Sequence, residues 1–349
     1  MFCRARWGLV GGGDAGWGFL VSGFRGWPAA FALLGLVLFT ATIAWLGWGG
    51  VLRAIDRVSL VGFAVYFAVQ LVVIAGLAGA WRLLLDRAQG GRYWLLYYGR
   101  MVRDSAGEFL PFSHVGGFVL GGRAIALGGV NVAAATASTL ADITVEFLAE
   151  LVFIATGVVL LARLAPGSDL LVPVAGGLGV AVLGAAGFLL VQRGGGRVFR
   201  GLAMRIAGRS ADGAAVRLER LQVAIDAIYA RPGRIFAAGL LHLVCWFAAG
   251  VTSYVAFHAL GTAISLVDAL TIEALLHAIL AAGFFVPGRI GVQEAAYSLL
   301  GTIFGIPPDI ALSVSLLRRA RDVIIAVPVL LVWQGIEARR LHLAGTDIR

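Results

Sequence analysis

Asp142, Glu146 and Glu150 stand four residues apart inside an apolar run, so on a helix they form one acidic stripe. Arg318, Arg319, Arg321 and Asp322 crowd a second apolar run, with Arg318 and Asp322 four apart. Arg289 sits in the broken stretch Phe284-Phe285-Val286-Pro287-Gly288-Arg289-Ile290-Gly291, with Gln293 and Glu294 just beyond it. Glu108 precedes a similar break, Phe109-Leu110-Pro111-Phe112-Ser113-His114-Val115-Gly116-Gly117, and His114 lies within it. Arg suits phosphate because its fork binds two oxygens. Arg289 is the candidate anion binder, beside the N-terminus of a half-helix starting near Gly291, whose free N–H groups also favour negative charge. Glu108, Glu146 or Asp322 balances the site or binds a proton or an amine. His114 is read either as a proton relay or as a merely hydrogen-bonded turn residue.

The elements that must hold these groups follow from composition. The chain has 349 residues, of which 60% are hydrophobic and 13% charged. A soluble domain carries about 25% charged residues, and so much apolar surface cannot be kept from water in a soluble fold. A disordered chain, a nucleic-acid-binding domain and an ordinary cytosolic enzyme are excluded, and a polytopic membrane protein is expected. Cys3 and Cys245 are too far apart to make a disulfide framework or a metal cluster. Gly11-Gly12-Gly13 and Gly194-Gly195-Gly196 lack the context of a phosphate-binding loop. There is no Ser–His–Asp, HExxH or paired-Cys arrangement, so neither an enzyme nor a cofactor or metal site is expected.

Six apolar stretches are long enough to span: Pro28–Trp48, Val58–Ala80, Asn131–Leu161, Leu170–Val191, Ile235–His258 and Asp309–Gln334. Asp104–Gly122 and Leu266–Phe304 are interrupted by Pro111, Gly116 and Gly117, and by Pro287, Gly288 and Gly291. Proline removes a helical hydrogen bond and glycine permits a reversal, so these read as re-entrant helical hairpins. Residues 1–27 read as a cytoplasmic leader, 28–336 as one all-α transmembrane domain with a cytoplasmic loop at 192–234, and 337–349 as a cytoplasmic tail. Within that loop Asp212–Ala230 repeats Leu218, Leu221, Ile225 and Ile228 at helical spacing, an amphipathic helix. All 28 basic residues are Arg, and 21 of them, Arg100 and Arg103 included, fall on the side that the positive-inside rule makes cytoplasmic. Both termini are then cytoplasmic. Only Arg289, Arg318, Arg319 and Arg321 fall inside apolar segments.

A shift of 176 residues aligns Ala106, Gly107, Phe109, Pro111, Gly129, Ala135 and Leu140 with identical residues. That is seven identities over 41 positions, against roughly three or four expected by chance. It also lays Glu146 on Asp322 and Pro111 on Pro287. The Arg count makes the matching segments, about 104–161 and 280–336, run in opposite directions. This is an inverted-topology repeat, the design of secondary transporters that bind substrate where broken helices meet. An ionised side chain near the bilayer centre costs at least about 2.5–3.5 kcal/mol. The buried charges therefore face one another, for instance Asp142 or Glu146 against Arg318 or Arg321, or line a wet cavity. Buried pairs gain little over apolar packing, so half of the cluster is expected to pair and the rest to line a cavity.

The stretches Glu108 to Gly117 and Phe284 to Glu294 resemble the lysylphosphatidylglycerol synthase transmembrane-region family, a flippase-like domain. Ala141-Asp142-Ile143-Thr144-Val145-Glu146-Phe147-Leu148 and Arg318-Arg319-Ala320-Arg321-Asp322 resemble its hopanoid-biosynthesis-associated branch. The synthase's soluble aminoacyl-transfer domain is absent from this sequence, so lipid aminoacylation is not implied. The resemblance implies movement of a polar-headed lipid, an anionic phospholipid or a hopanoid-type lipid, between leaflets of a bacterial inner membrane. It leaves two other readings open. One is a scaffold that recruits lipid-biosynthetic enzymes. The other is an ion-coupled transporter of a small solute. An oligomer is compatible with each.

Overall fold

The computed structural model describes residues 58–109, 113–194, 211–282, 286, 289 and 291–346. The expected first span, Pro28–Trp48, and the break residues Pro111, Pro287 and Gly288 lie outside the described residues, as does the His114 side chain. Ten helices and one short 3-10 turn are described, with no strand among these residues. They are α1 (Leu60–Leu84), α2 (Tyr93–Phe109), α3 (Ser113–Leu127), α4 (Val132–Leu164) and α5 (Leu171–Gly194). There follow α6 (Ala211–Tyr229), α7 (Pro232–Ala259), α8 (Leu266–Ala282), α9 (Val292–Ile303) and α10 (Pro308–Thr346).

Helices are the outcome that a lipid solvent forces, because every backbone N–H and C=O must be satisfied within the segment. Four are long and apolar enough to cross a membrane: α1, α4, α5 and α7. Their starts are set by local chemistry. Ser59 Oγ accepts from the Gly62 N–H at 3.0 Å, and Asn131 Oδ1 from the Ala133 N–H at 2.9 Å. The sixth expected span is one continuous helix, α10, which runs 39 residues and carries Arg318, Arg319, Arg321 and Asp322 near the middle of the apolar stretch.

α4 is the hub and packs against α1, α3, α5, α6, α7 and α8. The largest apolar cluster gathers Tyr66, Phe257, Leu275, Leu276, Leu280, Tyr297 and Leu300 from α1, α7, α8 and α9. α5 is different: little of its apolar surface is buried, with Val172 at 82% and Leu183 at 74% exposure. In a bilayer that face meets lipid. The amphipathic segment forms α6, which lies on α4.

Each interrupted segment is a pair of helices. α2 and α3 flank the first break, α8 and α9 the second; the first pair begins earlier than the sequence pattern indicates, at Tyr93, whereas α8 starts at Leu266, where the pattern puts it. Gly116 and Gly117 are not break residues, since both lie inside α3. Gly117 instead permits contact: a β-carbon there would collide with the Arg103 carbonyl and stand 2.9 Å from the Gly107 nitrogen. Close backbone approach through small residues is how helices associate where no hydrophobic drive exists. Beyond each pair the chain turns through a glycine of positive φ, Gly129 at 101° and Gly305 at 68°. α3 ends at Leu127 and α9 at Ile303, while α4 starts at Val132 and α10 at Pro308. Both intervals are the 176 residues of the sequence shift.

Replacing Gly117 with Ala is expected to lower thermal stability in detergent by about 1–3 kcal/mol through overpacking. Gly179→Ala in α5, where a β-carbon meets nothing within 4 Å, is expected to leave the unfolding midpoint no lower than wild type.

Candidate functional site

The acidic stripe of α4 faces α2, α7 and α8. On α2, Arg100 and Arg103 are three residues apart and share a face. Arg100 grips Glu146 with both terminal nitrogens, at 2.6 and 2.9 Å, and donates from Nε to Asp104 at 2.8 Å. Arg103 donates to Asp142 at 2.6 Å and, through its other terminal nitrogen, to Glu146. The guanidinium of Arg103 also lies 4.7 Å from the ring centroid of Phe118 on α3. The second oxygen of Asp142 meets His242 Nε2 of α7 at 3.0 Å. Asp142 and His242 are fully buried, and Arg100 and Arg103 nearly so.

Asp142, Glu146 and His242 bring one ligand atom each within 4.8 Å of one another. Two guanidinium groups already occupy the carboxylate oxygens and supply the positive charge that a cation would bring. The arrangement is therefore an ion-pair lattice in its chemistry, not a metal centre.

Glu150, two turns beyond Asp142, reaches a different group. It lies 3.3 Å from His277 Nδ1, while Glu273 lies 3.3 Å from His277 Nε2. Arg318 of α10 donates to Glu273 at 2.5 Å and stands 3.5 Å from His277 Nε2. Trp246 links the two groups: its indole N–H points to the Glu146 carbonyl at 3.4 Å and its ring meets that of His277 edge-on at 4.5 Å.

Around the second break, Arg319 holds Glu294 at 2.6 and 3.2 Å and donates to the Arg289 carbonyl at 3.3 Å. Glu294 in turn accepts from the Gly291 N–H at 2.8 Å, so a carboxylate of this chain already sits on the N-terminus of α9. Gln293 donates to the carbonyl and hydroxyl of Ser315, at 3.1 and 2.9 Å. Arg321 and Asp322 pair side by side at 2.7 Å, with Gln70 of α1 accepting from Arg321 at 2.9 Å. Arg289, in the left-handed region at φ 49°, stands 3.6 Å from Glu108. That contact joins the two broken segments.

The expected pairing of Asp142 or Glu146 with Arg318 or Arg321 does not occur. Arg100 and Arg103 take those acids, so these two arginines are buried counter-ions and not merely orienting charges. Their segment has few apolar residues in a row, which hid its helix. Sequence reasoning also passed over His242, Glu273 and His277. Glu273 and His277 carried a signal, an acid and a histidine four apart in an apolar helix.

A separate polar group lies at the start of α7. Arg231 and Arg234 both bind Asp86, just past the end of α1, beside a small pocket lined by Leu84, Ala134 and Ile228. The hydrogen bonds from Arg234 and then Arg231 hold the Asp86 carboxyl below its ordinary range.

The long apolar helices and buried ion pairs define a multi-pass membrane protein. The chain belongs to the family described as Lysylphosphatidylglycerol synthase TM region, whose model matches residues 32–329. No curated protein and no solved structure gives a significant match.

Arg103→Met removes the nearer counter-ion of Asp142, leaving Arg100 at 3.7 Å, and is expected to cost about 3 kcal/mol in detergent unfolding. Arg103→Lys should recover part of that loss, since it restores charge but not the two-pronged fork. Because the Asp86 pKa is depressed in the folded chain, its stabilisation is present above the ordinary carboxylate range. It is lost as pH falls through the lowered value. An acid titration of Asp86→Asn should therefore lack part of the wild-type decline in stability.

Proposed function

We propose that this chain is a lipid flippase of a bacterial inner membrane, moving a polar-headed lipid between leaflets without chemical change to it. The observation that carries the reading is the Arg289–Glu108 contact. It is longer than the other arginine–carboxylate pairs around it, and its side chains are 12% and 31% exposed. It bridges two breaks, each a place where a helix stops at depth. A phosphate oxygen can exchange with Glu108 on the Arg289 fork while the acyl tails stay in the bilayer. The lattice of Arg100, Arg103, Asp142 and Glu146 then serves as the fixed wall against which the broken helices work.

Family membership supports a lipid as cargo. The matched helix ends and matched glycine turns at a 176-residue interval support an inverted repeat of two re-entrant hairpins within six spans. With the Arg distribution, that topology supports cytoplasmic termini at both ends. The motifs around Asp142 and Arg318 resemble the hopanoid-associated branch and favour a hopanoid-linked lipid as cargo. A scaffold acting through the amphipathic helix is the weaker reading, because α6 is occupied in packing on α4.

Proteoliposomes of phosphatidylethanolamine and phosphatidylglycerol, carrying a fluorescent phosphatidylglycerol, test the reading. Wild-type protein should carry the probe between leaflets faster than protein-free vesicles do. Arg289→Ala, which removes a charge-assisted contact worth about 1.5–3 kcal/mol, should slow exchange roughly 10- to 100-fold. Exchange at the wild-type rate in this variant sinks the site assignment.

A further inference from the structure

His277 stands between two carboxylates, and both ring nitrogens face one. Nδ1 is 3.3 Å from Glu150 of α4, and Nε2 is 3.3 Å from Glu273 of its own helix, α8. A neutral imidazole has one N–H and one lone pair, so it satisfies only one of them. A lone pair aimed at an ionised carboxylate is repulsive. Among the described residues, the charged groups that face the ring are Glu150 from α4, Glu273 from α8 and Arg318 from α10. From α7 the neutral Trp246 closes the remaining face. Two carboxylates and one guanidinium leave a net charge of −1, and one further proton makes the group neutral. Glu273 is nearly fully buried, and its second oxygen has no hydrogen-bond partner among the described residues.

We propose that Glu150, His277 and Glu273 form a proton-binding site that couples the chain to a proton gradient. The proton resides on His277 when both carboxylates are ionised, and enters past Glu150, whose side chain is 20% exposed against 3% for Glu273. With the proton bound, His277 ties α8 to α4 by one charge-assisted contact, to Glu150, while its other nitrogen stays on Glu273 of α8. Its loss leaves an uncompensated buried charge and weakens that tie. α8 leads directly into the break that carries Arg289, and Arg319, next to Arg318, holds the Arg289 carbonyl. Protonation thus bears on the element that presents the headgroup arginine. The coupling role rests on the flippase reading, but the proton site itself does not.

Two measurements separate them. In the full chain in liposomes, with histidine labelled by nitrogen-15, His277 should show two protonated ring nitrogens at neutral pH. Glu150→Gln, which keeps the ring and removes one acceptor charge, should convert that signal to a singly protonated ring and so also assign it. A neutral His277 in the wild-type chain overturns the proposal whatever the transport result. In the second measurement, the fluorescent phosphatidylglycerol is followed in vesicles with one pH unit imposed across the membrane. If one proton accompanies each lipid, the steady-state ratio between leaflets should shift by up to about tenfold. Glu150→Gln and His277→Gln should exchange the probe without that shift. A wild-type protein that exchanges the probe yet ignores the gradient overturns the coupling. Failure to exchange the probe at all, with His277 doubly protonated, would overturn the flippase reading and the coupling while the proton site stands.

Discussion

Everything in this chain is arranged around the impossibility of leaving a charge alone in hydrocarbon. Asp142 and Glu146 sit on the central helix, where solvent cannot neutralise them. Arg100 and Arg103 must therefore come to them, and α2 with them. That demand fixes the position of the first broken pair more firmly than its modest apolar surface could. It also explains why α3 packs so tightly on α2 through Gly117. The helix that carries the arginines is itself held in place by the one behind it.

The second half solves the same problem differently. There the acids lie on α8 and α9 and the arginines on α10, so the charged contacts tie a broken pair to a long unbroken helix. Arg318 and Arg319 are adjacent in sequence but serve different helices, Glu273 on α8 and Glu294 on α9. One helix thereby holds both arms on either side of the break. Arg289 and Glu108, the looser pair, lie where the two arrangements meet.

Hydropathy alone locates α1, α4, α5 and α7 to within a few residues, because unsatisfied backbone groups cannot exist in lipid and each apolar run has a single low-energy form. The buried acids were legible for the same reason. Their partners were not. Arg100 and Arg103 lie in Tyr93–Phe109, whose apolar residues never form a spanning run, so counting arginines by segment placed them in a loop. His277 was hidden by context, since the break a few residues later drew the reading toward Pro287. Which charges pair across helices depends on rotation of each helix about its axis, and no one-dimensional pattern encodes that rotation.

α10 is 39 residues long. At 1.5 Å per residue it measures about 58 Å, roughly twice the hydrocarbon thickness. It cannot lie wholly within the bilayer unless strongly inclined, so it projects beyond it. Its charged contacts with α8 and α9 act near its first third, and Glu337 holds Arg123 of α3 far along it. Pro328 lies between these contacts, and α10 also packs on α2 and α9 and meets Gln70 of α1, so it is tied along its length. α10 thereby joins the second break, through Glu294, to the first broken pair, through Arg123, within a single helix.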